Sequence, residues 1–238
     1  MAGVDQDALA AAMPWHENPF TVVDPGDTSA RAQIPPAWWP ILDCGSPAER
    51  SSAARTLWNN EFLALIPRFT QALDSRLLDV RVVRHAGLTA PALDYVFVTD
   101  AGGREVWMGE SPDTFGPHDP PLFSSLPAPV RTFLQRVHAG FTTWDGESCG
   151  LAPPTLMQTL ASRRDDHGGQ ARIEWYETAH EPPTMQRLLR VTGRGPHADL
   201  FTSPDLPPGL AVTYFEPDFE LRAFGEALDL FMMMPLQA

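Results

Sequence analysis

Residues 146–150, Gly146-Glu147-Ser148-Cys149-Gly150, spell G-x-S-x-G, the pattern that presents a hydrolase's serine at a strained turn between a buried strand and a helix. The chemistry would be acyl transfer, which needs a base within reach of the hydroxyl and amide donors for the oxyanion. His167, His180 and His197 follow later in the chain. The flanks do not supply the elbow. FTTWDGE before Ser148 makes no apolar run, Pro153 and Pro154 fall inside the helix that should follow, and no HGGG-type segment precedes. Cys149 offers a thiol nucleophile instead, but no signature of a cysteine hydrolase surrounds it, and it reads as a small buried hydrophobe.

Other chemistries find less support. Asp165, Asp166 and His167 form the tightest polar cluster, yet neighbours on a solvated loop cannot all turn toward one ion, and neither HExxH nor EF-hand spacing occurs. RRDDHGGQ reads as a loop turned by Gly168 and Gly169. TGRGPHADLF has G-x-G without the third glycine or a following helix and reads as a hairpin end. No catalytic residue, metal or cofactor is expected.

The elements that would position any site follow from periodicity and proline. The 25 prolines cluster at 35–47, 112–129 and 204–217, where helices cannot continue. Trp58, Phe62, Leu65, Ile66, Phe69, Leu73 and Leu77 recur at three- and four-residue steps, predicting an amphipathic helix that Pro67 must kink or split. DVRVVRHAG and the two runs around Asp100-Ala101-Gly102-Gly103 predict strands with a hairpin. Beyond the middle proline cluster, Val130, Phe133, Leu134 and Val137 mark a short helix, and Leu156, Met157 and Leu160 another begun by Pro154. ARIEWYETA, MQRLLRVTG and GLAVTYFE predict strands whose short links call for antiparallel pairing. Leu221, Phe224, Leu228 and Phe231 trace a final helix over a sheet face. The expected class is α+β, mostly antiparallel sheet packed by helices. The expected division is an N-terminal helix-plus-strands extension, 1–115, and a second unit, 116–238, with one continuous globule as the other arrangement the pattern allows.

Composition bounds the function. With 43% hydrophobic and 20% charged residues the chain is of the ordinary globular kind. Seventeen basic against thirty acidic residues give a formal charge of −13, which repels a phosphate backbone and would speed encounter with a basic protein. No stretch approaches the apolar length of a membrane span. The opening MAGVDQDALAAAMPW lacks the positive start of a secretory signal. Cys44 and Cys149, without CxxC spacing, indicate neither a disulfide framework nor zinc. Cytoplasmic residence, with no nucleic-acid or membrane partner, is the expectation.

The run SSLPAPVRTFLQRVHAGFTTWDGESCGLAPPTLMQTLASR resembles the SUKH superfamily, found in bacterial toxin-immunity loci and related to a fungal cell-wall regulator. Leu126-Pro127 stands for its Leu-Pro pair, Phe133-Leu134 for its helix core, His138-Ala139-Gly140 for its Asn-Gly-like turn, and Gly150-Leu151-Ala152-Pro153 for the lead into the next helix. The closing FEPDFELRAFGEALDLFM is similar to the final helix. The likeness covers roughly 120–235, and His-Ala-Gly departs from the usual Asn-Gly. On physical grounds Leu126 before Pro127 fixes an extended entry, and Gly140 would take a positive φ to end the helix. Ser148 is expected in a loop between helices.

The resemblance implies an α+β protein that does no chemistry and blocks a cognate toxin by a tight interface. The leading expectation is therefore an immunity-type protein that neutralises a basic-surfaced toxin domain by occlusion. Trp144 would be its buried anchor and Asp145, Glu147, Glu174 and Glu177 its acidic rim. A regulatory or scaffold module of the same fold is the second reading, and a hydrolase using Ser148 or Cys149 the third.

Overall fold

The computed structural model describes residues 4–13, 19–165, 182–194, 198–216 and 218–238. Helix α1 (Gln6–Ala12) precedes strand β1 (Phe20–Val22). Five helices follow: α2 (Thr28–Arg31), α3 (Trp39–Asp43), α4 (Pro47–Arg55), α5 (Asn60–Leu63) and α6 (Pro67–Ser75). Strands β2 (Leu77–His85), β3 (Ala92–Val98) and β4 (Arg104–Gly109) come next. Helix α7 (Ala128–Arg136), strand β5 (Phe141–Thr143) and helix α8 (Leu160–Asp165) lead to strands β6 (Leu189–Arg194), β7 (Ala198–Thr202), β8 (Leu210–Phe215) and β9 (Asp218–Ala223), and α9 (Phe224–Met233) follows. The fold is α+β, with antiparallel sheets ordered β1-β2-β3-β4-β5 and β6-β7-β8-β9.

Alternation along the first sheet decides its layers. Leu93, Tyr95, Phe97 and Trp107 face the helices and join a core that also takes Phe62 and Phe69 from between β1 and β2, Phe133 from between β4 and β5, and Leu189 and Phe231 from after the sheet. The opposite face, with Val83, Val96 and Val106, is covered by Leu9 and Met13. The segment carrying them is tied down by a buried ion pair. Arg50 Nε and Nη2 donate to Asp79 at 2.8 and 2.7 Å, and Asp79 Oδ2 also accepts from the Val4 amide at 2.8 Å.

Proline sets the helix boundaries more sharply than periodicity does. The helix expected across Trp58 to Leu77 is two, because Pro67 occupies the first position of α6, where its missing N–H costs nothing. The amide donors that α6 leaves open at Arg68 and Phe69 are met by the buried carboxylate of Asp229 on α9, at 3.0 and 2.8 Å. The helix expected at Pro154–Leu160 is a single 3-10 turn, Pro154–Leu156, followed by α8 from Leu160. Thr159 between them bridges to Leu189 instead.

Other expectations change in detail. Leu221 lies in β9, paired with Val212, and the last helix starts at Phe224. Arg187 belongs to a 3-10 turn rather than to strand β6. The hairpin at Gly102 forms as expected, with φ at +80° there, and the TGRGPHADLF segment joins the antiparallel strands β6 and β7. Arg163–Asp165, read as loop, close α8. Helix α7 ends at Arg136 without Gly140, which does not take the left-handed conformation; a Cβ there would stand 3.0 Å from Pro153, so close packing is what it serves. ARIEWYETA, His167 and His180 lie outside the described residues.

Candidate functional site

Ser148 sits in the return of a hairpin, not at an elbow between strand and helix. The Ser148 carbonyl accepts from the Thr143 amide at 3.0 Å, and Phe141 and Leu151 exchange two 2.8 Å bonds, so residues 148–151 run back along β5. The same segment reaches the second sheet through the Cys149 amide to the Gly193 carbonyl and the Ala152 amide to that of Val191, both at 2.9 Å. Strand β5 thus precedes Ser148, where a loop between helices was expected.

The motif's two glycines answer to the turn. Gly146 has φ +77°, and a Cβ on Gly150 would lie 1.9 Å from the Phe141 carbonyl oxygen. Cys149, also left-handed at φ +68°, is buried, and burial pushes its thiol up to about 12, so it is uncharged at neutral pH.

Asp145 organises this turn. Its Oδ1 accepts from the amides of Glu147 and Ser148, both at 2.9 Å, and from the Thr143 hydroxyl at 3.1 Å. That holds Trp144 half-buried against the apolar layer under α1, while Asp145 and Glu147 are exposed. All three line one cleft of about 450 Å³, whose remaining walls include Leu88, Met108, Glu110 and Leu156. Glu174 and Glu177 lie outside the described residues.

Sequence reasoning missed Glu110. Two alternations from Val106 and Met108 put it on their side of the sheet, just before the Ser111-Pro112 turn; that phase was readable, but its burial was not. Desolvation raises its carboxyl above the ordinary value, partly offset by a hydrogen bond from Thr114. The cleft's wall also holds His85, whose Nε2–H points at both oxygens of Asp94, at 3.0 and 3.2 Å, with both side chains buried.

The residue before Glu110 is fixed from the other face. The ring of His138 lies under Gly109, where a Cβ would approach it to 2.6 Å. His138 Nδ1 is 3.3 Å from the Glu110 carbonyl, which can only accept, so Nδ1 carries the proton and Nε2 accepts from the Tyr95 hydroxyl at 2.9 Å. Tyr95 in turn accepts from Trp58 Nε1–H at 3.3 Å. Burial lowers the His138 pKa to about 3, so the ring stays neutral and the directions of this chain are constant through the physiological range.

No family model, curated protein or solved structure matches the chain. The site's reading therefore rests on its own chemistry. Among the described residues, no group of three or more His, Cys, Asp or Glu is placed to hold a metal ion, and no helix is long and apolar enough to cross a membrane. The cleft offers carboxylates, an indole, the Asp94-bound imidazole of His85 and apolar walls, and among the described residues neither arginine nor lysine lines it. Such a surface attracts and orients cationic groups.

Proposed function

We propose that the chain is an immunity-type binding protein of the cytoplasm that neutralises a cognate protein toxin by occluding a basic surface on it. The observation that carries this reading is the convergence of Trp144, Asp145 and Glu147 on one cleft in whose lining, among the described residues, there is no lysine or arginine. The net charge of −13 supports it by drawing in a basic partner, and an indole fixed by its neighbours would slow departure. The SUKH-like signature over 120–235 is what points to a toxin as the partner. The hairpin suits the role because its turn is held by hydrogen bonds before any partner arrives, so little ordering remains to be done on binding.

Co-expression with a toxin gene neighbouring its own tests the proposal. Growth should be rescued and a complex recovered, and both should be lost when Trp144→Ala, Asp145→Asn and Glu147→Gln are combined. Toxicity unchanged by the wild-type chain rejects the immunity role. Rescue undiminished by the triple variant rejects the cleft.

A further inference from the structure

The carboxylates of the cleft differ in exposure. Asp145 and Glu147 stand exposed at one side, whereas Glu110 is half-buried, with its backbone carbonyl already occupied by His138. The same cleft is lined by apolar Leu88, Met108 and Leu156 and by polar Ser111 and Thr114. The chain contains no lysine anywhere, and among the described residues no arginine lines the cavity, while His85, which does, is held by Asp94.

We infer that the cleft is a receptor for one lysine side chain of the protein partner, with Glu110 receiving the ammonium and Trp144, Leu88 and Leu156 flanking the aliphatic stem. The inference rests on the binding role proposed above and names what enters the site. Charge complementarity selects a cation, and a half-buried carboxylate in a cleft partly lined by apolar side chains selects one carried on a hydrocarbon stem. At Glu110 a guanidinium would bring five N–H donors in a rigid fork to one half-buried carboxylate, while an ammonium brings three on a compact head. Desolvation of the carboxylate, only partly offset by Thr114, gives the ammonium something to relieve, since an opposite charge at contact restores the ionised form.

The test uses the full chain labelled with ¹⁵N and butylammonium as a lysine side chain without its backbone, following the Trp144 indole N–H signal. Saturable shifts are expected, with half-saturation on the order of millimolar for so small a ligand. Glu110→Gln should weaken binding roughly tenfold or more, as expected for loss of a charge-assisted contact, and Glu61→Gln, an exposed carboxylate on α5, should leave it unchanged. In the wild type, binding should lower the titration midpoint of the Glu110 carboxyl, a readout that needs no variant to fold. Non-saturating shifts, or shifts indifferent to Glu110→Gln, overturn the inference. So does equal binding of methylguanidinium, and so does binding of spermidine in the absence of butylammonium binding, which would make the occupant a free polyamine. If a partner complex is broken by Trp144→Ala but withstands Glu110→Gln, the lysine receptor falls while the binding role stands. If butylammonium binds through Glu110 but no partner complex forms, the binding role falls instead.

Discussion

At Tyr95 one hydroxyl serves two buried rings, accepting from Trp58 Nε1–H and donating to His138 Nε2. Tyr95→Phe keeps the packing and strands both nitrogens, so we expect a loss of about 1–3 kcal/mol in denaturant unfolding. Glu105 shows the opposite situation on the helix-facing side of the sheet. Burial first, and the charge of Asp145 second, push its carboxyl up to about 7, against a smaller opposing pull from Arg194. A carboxyl whose folded pKa lies above its unfolded value favours the fold while protonated, below about 4.5, and that contribution fades as pH rises through about 7. Glu105→Gln should therefore stabilise the protein at pH 8 and change little at pH 4, as read by thermal unfolding at both. At this scale the sequence was partly legible. Trp144, Asp145 and Glu147 announced themselves as an indole and two carboxylates around a glycine turn, but nothing in residue type separates Glu110, half-buried at a strand end, from an exposed glutamate.

Helix α6 depends on a residue 160 positions away for its N-terminal cap, since neither Ile66 nor Pro67 supplies an acceptor and Asp229 does. Asp229→Ala should cost about 2 kcal/mol, the upper range for loss of a cap, and should raise amide exchange at Arg68 and Phe69 before the rest of the helix. Such a cap cannot be read locally. Long periodic elements were legible: β2, β3, β4, α7 and β8 stand where alternation or helical spacing placed them. Strands β1 and β5 have three residues each, too few to show a period. Strand β7 is buried along its whole length, so it does not alternate at all. Leu221 misled because its three-residue step to Phe224 continues the spacing of α9 backward into β9. The helix expected after Pro154 failed for a different reason: Thr159 is drawn into a bridge with Leu189, which breaks the run between Met157 and Leu160.

Across the whole molecule the cleft is lined by four stretches of chain, within 85–90, 108–114, 144–147 and 153–156. Strand β5, from the middle of the sequence, closes the first sheet beside β4, and the residues just after its turn hydrogen-bond to β6 of the second sheet. The hairpin of Ser148 is thus a structural joint, and the G-x-S-x-G spelling follows from the two glycines that joint requires. The α+β class was legible because strands and helices do not alternate; the joint was not, because it depends on contacts between residues more than 40 apart in sequence, such as Cys149 with Gly193. An acidic surface with a fixed indole-lined cleft predicts that partner contacts concentrate there and weaken as salt screens them.

Carbodiimide cross-linking in native-host extract, with linked residues mapped by mass spectrometry, tests this most directly. With no lysine in the chain, its activated carboxylates have few amines of their own to capture and must report on a partner's. The account predicts links from Glu110, Asp145 or Glu147 to lysines of one protein, lost at high salt and in Trp144→Ala. Links spread over carboxylates remote from the cleft, unaffected by that variant, would contradict it.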